Sequence, residues 1–505
     1  MFSRRWVETL DFSIRREGQR KNEKEIKMSN KLSRREFIQL SVAGGAVCLG
    51  GSSILFGAGS KGSKLISPGC RGTKVKVARI YMGTSSGLWP TPKLDFRNEM
   101  KFYESEFAKL KDELSDVEFV VNQVVSSPDQ IKSLKGSLED VDGILAIHFS
   151  MGIGPVLNEV LSLGKPTALF AAPYSGHEWT GFGSLQKQEI GTKLECMLTN
   201  DYSQLAVAIR PFRAIHHLRE ARILNVSTGS FEKYAEDVRN KFGTEIKRVD
   251  REQILDAYDV VSDKDAKAET ERWISQAKEL VEPSQPEVFK SCKLALAFEN
   301  LLDQENATVL TIDCYGTMWD KTIKLPAYPC LGFTRLNNMG FGGVCESDLQ
   351  SAMTHVIFQG LVGRPGFVSD PTVDESENSI IMAHCLGTTK MDGPAGPAAP
   401  YKLRTVMERQ EGVVPQVFMR KGQKVTQAKL VGTDFMPYFT GEIIDAPDID
   451  RGCRTKITVK VDGDIEKLWK NWTSGLHRQT CYGDITKELG SFCKYKDIKM
   501  VNEAV

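Results

Sequence analysis

The chain has 505 residues, too many for a single hydrophobic core and enough for about three domains. Its 41% hydrophobic and 26% charged content is ordinary for a soluble globular protein. Lys+Arg 66 against Asp+Glu 65 leaves almost no net charge, which argues against a nucleic-acid binder or a polybasic membrane-surface protein and towards a small-molecule partner.

The residues before Met28 are polar and charged, so Met28 is itself a candidate start. Leu32-Ser33-Arg34-Arg35-Glu36-Phe37-Ile38 has the form of a twin-arginine signal, and the mildly apolar Gly/Ala/Ser-rich run over 37–56 has signal-peptide character. The alternative is a loosely apolar helix preceded by two chance arginines. If the signal is used, the chain is exported to the periplasm with no membrane segment left in the mature protein; otherwise it is cytoplasmic. The Gly/Ser/Lys-rich stretch 57–74 reads as a flexible linker, which sets residues 1–74 apart from the fold.

From residue 75, short apolar strands alternate with amphipathic helices. Strands over 75–81, 117–121, 143–147 and 167–171, with a helix over 96–114, predict a parallel sheet in a Rossmann-like α/β domain, 75–218. A second α/β domain, 219–362, begins with a strand at 221–226. It continues with helices over 263–282 and 287–300 and a buried strand over 307–313. No GxGxxG or GxxxxGK[ST] stands at a strand-to-helix junction, which argues against a dinucleotide or P-loop site. Over 363–505 turn pairs separate short strands at 379–384, 414–419, 428–432, 441–444 and 455–461. They predict an antiparallel β-rich domain or partial barrel. The expected class is therefore α/β, two Rossmann-like parallel-sheet domains followed by a β-rich one.

Gly342-Gly343-Val344-Cys345-Glu346-Ser347-Asp348 reads as a glycine-rich turn that opens a helix with two carboxylates. Ser369-Asp370-Pro371 adds a third carboxylate, and Gly475-Leu476-His477 adds an imidazole. Oxygen, oxygen and imidazole nitrogen suit a divalent ion such as Mn²⁺ or Mg²⁺. Each residue also has a plainer reading. Glu346 is then a helix-N-terminal acid facing the macrodipole, Asp348 a first-turn residue, Asp370 a turn residue, and His477 a satisfied structural histidine.

The run Gly332-Phe333-Thr334-Arg335-Leu336-Asn337-Asn338-Met339-Gly340-Phe341-Gly342-Gly343-Val344-Cys345-Glu346-Ser347-Asp348-Leu349 resembles the catalytic-glutamate segment of L-fucose isomerases. There an Arg-Leu-Asn stretch enters a sheet and Cys-Glu-x-Asp opens a helix. L-arabinose isomerases carry a similar Gly-Glu-Gly-Asp turn. Gly441-Glu442-Ile443-Ile444, Arg451-Gly452-Cys453-Arg454-Thr455 and His477 with Tyr482-Gly483-Asp484 resemble the last domain of fucose-isomerase-like proteins. The resemblance runs from about residue 75 to 505 and is strongest in the last third. It implies a homo-oligomeric aldose–ketose isomerase that uses Mn²⁺ or another divalent metal and moves a proton between adjacent sugar carbons through an ene-diol.

On that resemblance Glu346 and Asp370 are metal ligands and the acid/base pair, and His477 is the third ligand. Metal charge and mutual repulsion would push the two carboxyl pKa values apart. His384 resembles an Ala-His strand-end ligand of arabinose isomerases and is a fourth ligand or a substrate contact. Two other readings stay open: an exported sugar-binding protein without turnover, and a fucose-isomerase-like protein acting on a modified sugar. Among the remaining histidines, His148 ends a strand where sugar-contacting groups could enter from a neighbouring subunit, and His177 sits near Trp179 in a packing or sugar-stacking loop. His216 and His217 read as a solvated helix surface, and His355 as structural. Eleven cysteines without a CxxC pair read mainly as buried thiols.

Overall fold

The β-branched runs after Val75 build a parallel sheet from β1 (Val75–Met82), β2 (Val117–Val125), β3 (Gly143–His148), β4 (Thr167–Ala171) and β5 (Leu194–Leu198), in the order β2-β1-β3-β4-β5. These strands belong to a computed structural model that describes residues 65–85, 89–314, 316 and 321–505; the twin-arginine-like segment and the apolar run after it lie outside those residues. Every residue of β3 and β4 is buried, which is why both read as unbroken apolar runs.

A second sheet uses β6 (Arg222–Val226) and β7 (Glu245–Arg248). The two-residue β8 (Glu279–Leu280) departs to pair elsewhere, and β9 (Val309–Ile312) and β10 (Gly342–Cys345) complete the sheet. Its order is β10-β9-β6-β7, again all parallel. In both sheets the first strand lies inside and the chain winds outward on either side of it, so the carboxyl ends of the strands line one edge, where ligands of such sheets bind.

Helix Gln204–Glu220 packs on β1, β3 and β4 and runs along helix Leu349–Val362. Gly360 permits that approach, because a Cβ there would stand 2.5 Å from Ala214 Cα. This helix is covered on more than one side, so the expected solvated surface at His216 and His217 is wrong: both are fully buried. His216 Nδ1 donates to Asp142 (2.9 Å) and its Nε2 donates to the Thr73 carbonyl (2.8 Å). Burial disfavours that imidazolium, but the Asp142 carboxylate outweighs it and raises the pKa to about 10. The expected linker is also corrected where it is described. Gly69 N donates to Gly340 O (2.7 Å), Arg71 pairs with Asp303 (2.6 Å) and Thr73 N donates to Glu220 (2.8 Å). Residues 65–74 are thus a strap fixed to the fold.

The C-terminal part is a closed antiparallel barrel, where the sequence predicts a β-rich domain or partial barrel. Its first strands are β11 (Phe367–Asp374) and β12 (Ser379–His384). A hairpin of β13 (Tyr401–Val406) and β14 (Glu411–Val417) stands aside and takes up β8. The barrel continues with β15 (Gln423–Ala428), β16 (Phe435–Asp445), β17 (Thr455–Val461) and β18 (Arg478–Tyr482). Six strands pair in the ring β15-β18-β11-β12-β17-β16, and β15 pairs back to β16; β19 (Lys499–Asn502) adds to β16 in parallel. Closure removes the open edges that a partial barrel would expose. Asp370 and Pro371 lie within β11, paired with Ala383 and Met382, and not in a turn. Strand β18 has no alternating pattern because all five of its residues are buried. Among the described residues no helix is long and apolar enough to cross a membrane.

Gly342 and Gly343 form strand β10, not a turn, and the Arg335-Leu336-Asn337 stretch lies on helix Cys330–Asn338. A Cβ at Gly343 would stand 2.5 Å from Phe333 Cα, so glycine lets this helix lie against the strand. Asn337 then pairs with the backbone of the edge strand: Gly343 N donates to its Oδ1 (2.7 Å) and its Nδ2 donates to Gly343 O (3.1 Å). Arg335 is buried between Glu269 and Glu299, at 2.8 Å from each. Gly343→Ala should therefore force helix and strand apart and lower stability by about 1–3 kcal/mol in urea unfolding. An unchanged midpoint would show that the helix has room to shift.

Candidate functional site

Glu346 follows β10 directly, at the carboxyl edge of the second sheet. Glu346 and Ser347 both adopt left-handed backbone, φ 64° and 52°, a conformation that costs roughly 1–2 kcal/mol per non-glycine residue. Neighbouring strands hold them there. Ser347 N donates to Ile312 O (3.0 Å), Ser347 Oγ donates to Asn225 Oδ1 (2.6 Å), and Glu346 N points at Cys314 Sγ (3.4 Å). Asp348 is then the N-cap of helix Leu349–Val362, accepting from Ser351 N (3.0 Å). Glu346 thus stands two residues before the cap and projects from a bent strand end, outside the helix it was expected to open.

The barrel supplies the facing groups from three adjacent strands. Asp370 lies on β11, His384 ends β12 and His477 immediately precedes β18. His384 Nε2 lies 3.6 Å from Glu346 Oε1, and His477 Nε2 lies 3.5 Å from Glu346 Oε2. The ligand atoms of Glu346, His384 and His477 all fall within 4.8 Å of one another. Asp370 reaches this group through His477, with its Oδ1 3.2 Å from Nε2. Both ring nitrogens of His384, Nε2 of His477 and Oδ1 of Asp370 are buried without an aligned hydrogen-bond partner. Unpaired buried polar atoms are costly, and two imidazole nitrogens facing a carboxylate are a donor set that a divalent cation would satisfy.

Sequence reasoning missed how His477 is held. Its Nδ1 donates to Asp348 Oδ2 (2.9 Å), and the same oxygen accepts from Lys429 Nζ (2.7 Å). Burial raises the Asp348 carboxyl, but the hydrogen bond from His477 and the Lys429 ammonium outweigh it and hold it well below the usual carboxylate range. Asp370 is likewise held low against burial by His477 and His384. Burial works against a charged His477, yet Asp348 and Asp370 raise its pKa to about 9. Lys429 carries no motif. In the sequence it is one lysine within the strand expected over 428–432; the structure ends β15 at Ala428 and puts Lys429 directly after it.

The remaining histidines stand apart from this group. His148 ends β3 with Nδ1 2.8 Å from Ser175 Oγ and Nε2 2.9 Å from Glu178. It lines a cavity of about 350 Å³ with Trp179 and Phe182 at the edge of the first sheet. His177 meets the edge of Trp89, at 5.7 Å between ring centroids. His355 is satisfied by Phe341 O (3.0 Å) and Gly366 N (3.3 Å).

A named relative shares part of this chain. It is a sulfoquinovose isomerase of Clostridium sp. (strain MSTE9), 27% identical over 178 residues. The match covers 32% of this chain and 37% of the relative, so it spans well under half of either. No protein-family model matches the chain.

In metal-free protein, His477 has a folded pKa of about 9 against an ordinary 6.5. Its contribution to stability is therefore fully present below pH 6.5 and lost as pH rises through 9, a loss on the order of 3 kcal/mol. His216 titrates in an overlapping window, so the comparison is with His477→Gln. Urea unfolding after chelation should show the wild type losing more stability than that variant between pH 6.5 and 9.5. Parallel profiles would show that His477 is not charged in the fold.

Proposed function

We propose that this chain is a metal-dependent aldose–ketose isomerase acting on a sugar. The observation that carries the reading is the pair of buried imidazole nitrogens of His384 and His477, neither with an aligned hydrogen bond and each facing one oxygen of Glu346. The similarity to a sulfoquinovose isomerase supports the reaction class. We also read the two parallel sheets as Rossmann-like domains, with the site where the second meets the barrel.

Glu346, His384 and His477 would hold the ion, with Asp370 beside them; oxygen and imidazole donors suit Mn²⁺ or a similar divalent metal. When bound, such an ion fixes two adjacent substrate oxygens and absorbs the negative charge that develops on them. Asp348 keeps the His477 proton on Nδ1, so that Nε2 presents its lone pair to the site. Glu346 is partly exposed on a strand end held by Asn225 and Ile312, and in this reading it would take a proton from one sugar carbon and return it to the next. Asp370, also partly exposed, faces the same space from the barrel and is the second proton-moving carboxylate. The relative's name favours a second reading within the same chemistry, isomerisation of a modified sugar such as sulfoquinovose.

The test is interconversion of a panel of aldoses and ketoses that includes sulfoquinovose, after chelation and with Mn²⁺ restored. Glu346→Gln should lower turnover by about 10²–10⁴-fold while the fold melts normally; near-normal turnover would remove Glu346 from the chemistry. His384→Ala and His477→Ala should lose comparable metal affinity, because both nitrogens face the same carboxylate. Asp348→Asn should weaken metal binding by about 10–100-fold. Metal retention unaffected by either histidine variant would contradict the constellation.

A further inference from the structure

We propose that Cys385, Glu408 and Cys453 form a second cation site, for a thiophilic divalent metal of the zinc class, distinct from the Glu346 group. The three residues come from separate segments. Cys385 follows β12, Cys453 stands two residues before β17, and Glu408 lies in the turn joining β13 to β14. Strands β12 and β17 pair, with His384 opposite Thr455, so the fold brings the two cysteines to one end of the same ladder.

The geometry is that of ligands around one small ion. Cys385 Sγ lies 3.7 Å from Glu408 Oε2, and Cys453 Sγ lies 3.5 Å from Glu408 Oε1. The ligand atoms of all three residues fall within 4.8 Å of one another. Zinc–sulfur and zinc–oxygen bonds at a tetrahedral angle place a sulfur and an oxygen about 3.6 Å apart, and two sulfurs about 3.8 Å apart. The contacts also serve as weak S–H···O hydrogen bonds, but a carboxylate at the surface gains little from two such donors when water competes.

The surroundings fit a site open on one side. Cys385 is buried in a core cluster with Leu386, Val406 and Val414, whereas Cys453 is partly exposed and Glu408 is exposed. An ion could enter from solvent and keep a water as its fourth ligand, with an apolar wall behind it. Two thiolates and one carboxylate select a softer ion than the Glu/His/His group does. None of the ten described cysteines forms a disulfide. Because Cys385 is joined directly to His384, an ion here would fix the end of β12 from which His384 projects.

The full-length chain, reduced and stripped with chelator, is titrated with Co²⁺ as the probe. Thiolate-to-cobalt charge-transfer absorption reports sulfur ligands and cannot arise from the oxygen and nitrogen donors of the Glu346 group, so the result is independent of the proposed isomerase activity. The band should correspond to one sulfur-bound Co²⁺ per chain and saturate within two added equivalents, since the Glu346 group would also take Co²⁺; it should be displaced by Zn²⁺ and vanish in Cys453→Ser. It should survive in His477→Ala and in Cys70→Ser. The exposed Glu408→Gln should raise the Co²⁺ Kd by at least about 10-fold without changing the melting temperature of the metal-free protein. No band at saturating Co²⁺ would overturn the proposal, as would a band that persists in Cys453→Ser. A Cys385–Cys453 disulfide that, once reduced, yields a folded protein with no thiolate-to-cobalt band would overturn it equally.

Discussion

One carboxylate joins the two halves of the candidate site. Asp348 caps helix Leu349–Val362 through Ser351, and its other oxygen accepts from His477 Nδ1 and Lys429 Nζ. The helix belongs to the second parallel sheet, whereas Lys429 follows β15 and His477 precedes β18 in the barrel. Charge-assisted hydrogen bonds of this kind are about twice as strong as neutral ones, and here two cations compensate the burial of one acid. The spacing of Glu346 from His477 across the junction follows from that anchor, as does the direction in which His477 Nε2 points. The left-handed turn at Glu346 and Ser347 is the companion constraint, since a relaxed strand end would carry the carboxylate elsewhere.

Much of the architecture was legible because it rests on local pattern. The buried runs of β3 and β4 read as parallel strands, and β12 and β17 were visible between turn residues. Glu346, Asp370 and His477 were singled out as an oxygen and nitrogen donor set and by family resemblance, His384 by resemblance alone, and the structure brings Glu346, His384 and His477 together with Asp370 at their side. What could not be read depends on contacts distant in sequence. Closure of the barrel is decided by the pairing of β15 with β18, which no local pattern encodes. His216 and His217 looked solvated because they fall on a helix, but Asp142 pairs with His216 and Ser67 bonds Nε2 of His217, both from elsewhere in the chain. The glycines before Glu346 looked like a turn; the true reasons are the Val309 and His355 side chains packed against Gly342 and the backbone of Phe333 lying against Gly343. Lys429 was invisible because a single lysine in an expected strand says nothing until its partner is known.

The end of β12 is where two kinds of chemistry meet. His384 faces Glu346 and His477, and the next residue, Cys385, faces Glu408 and Cys453. One group offers oxygen and nitrogen, the other mainly sulfur, so the same ion would not be preferred by both. The backbone between them is pinned by pairing of β12 with β11 and β17. Order at either group therefore limits the freedom of the other.

The most direct measurement is the fate of the transferred hydrogen. The Mn²⁺-reconstituted protein is incubated in D₂O with each aldose of the panel, sulfoquinovose included, and the products are followed by NMR. Proton transfer through an ene-diol at Glu346 predicts ketose that carries some solvent deuterium at C1, since a proton held on a partly exposed carboxylate exchanges in part before it is returned, and little or no ketose from Glu346→Gln. Mn²⁺-loaded protein that forms no ketose and exchanges no substrate hydrogen with any of these sugars would contradict it.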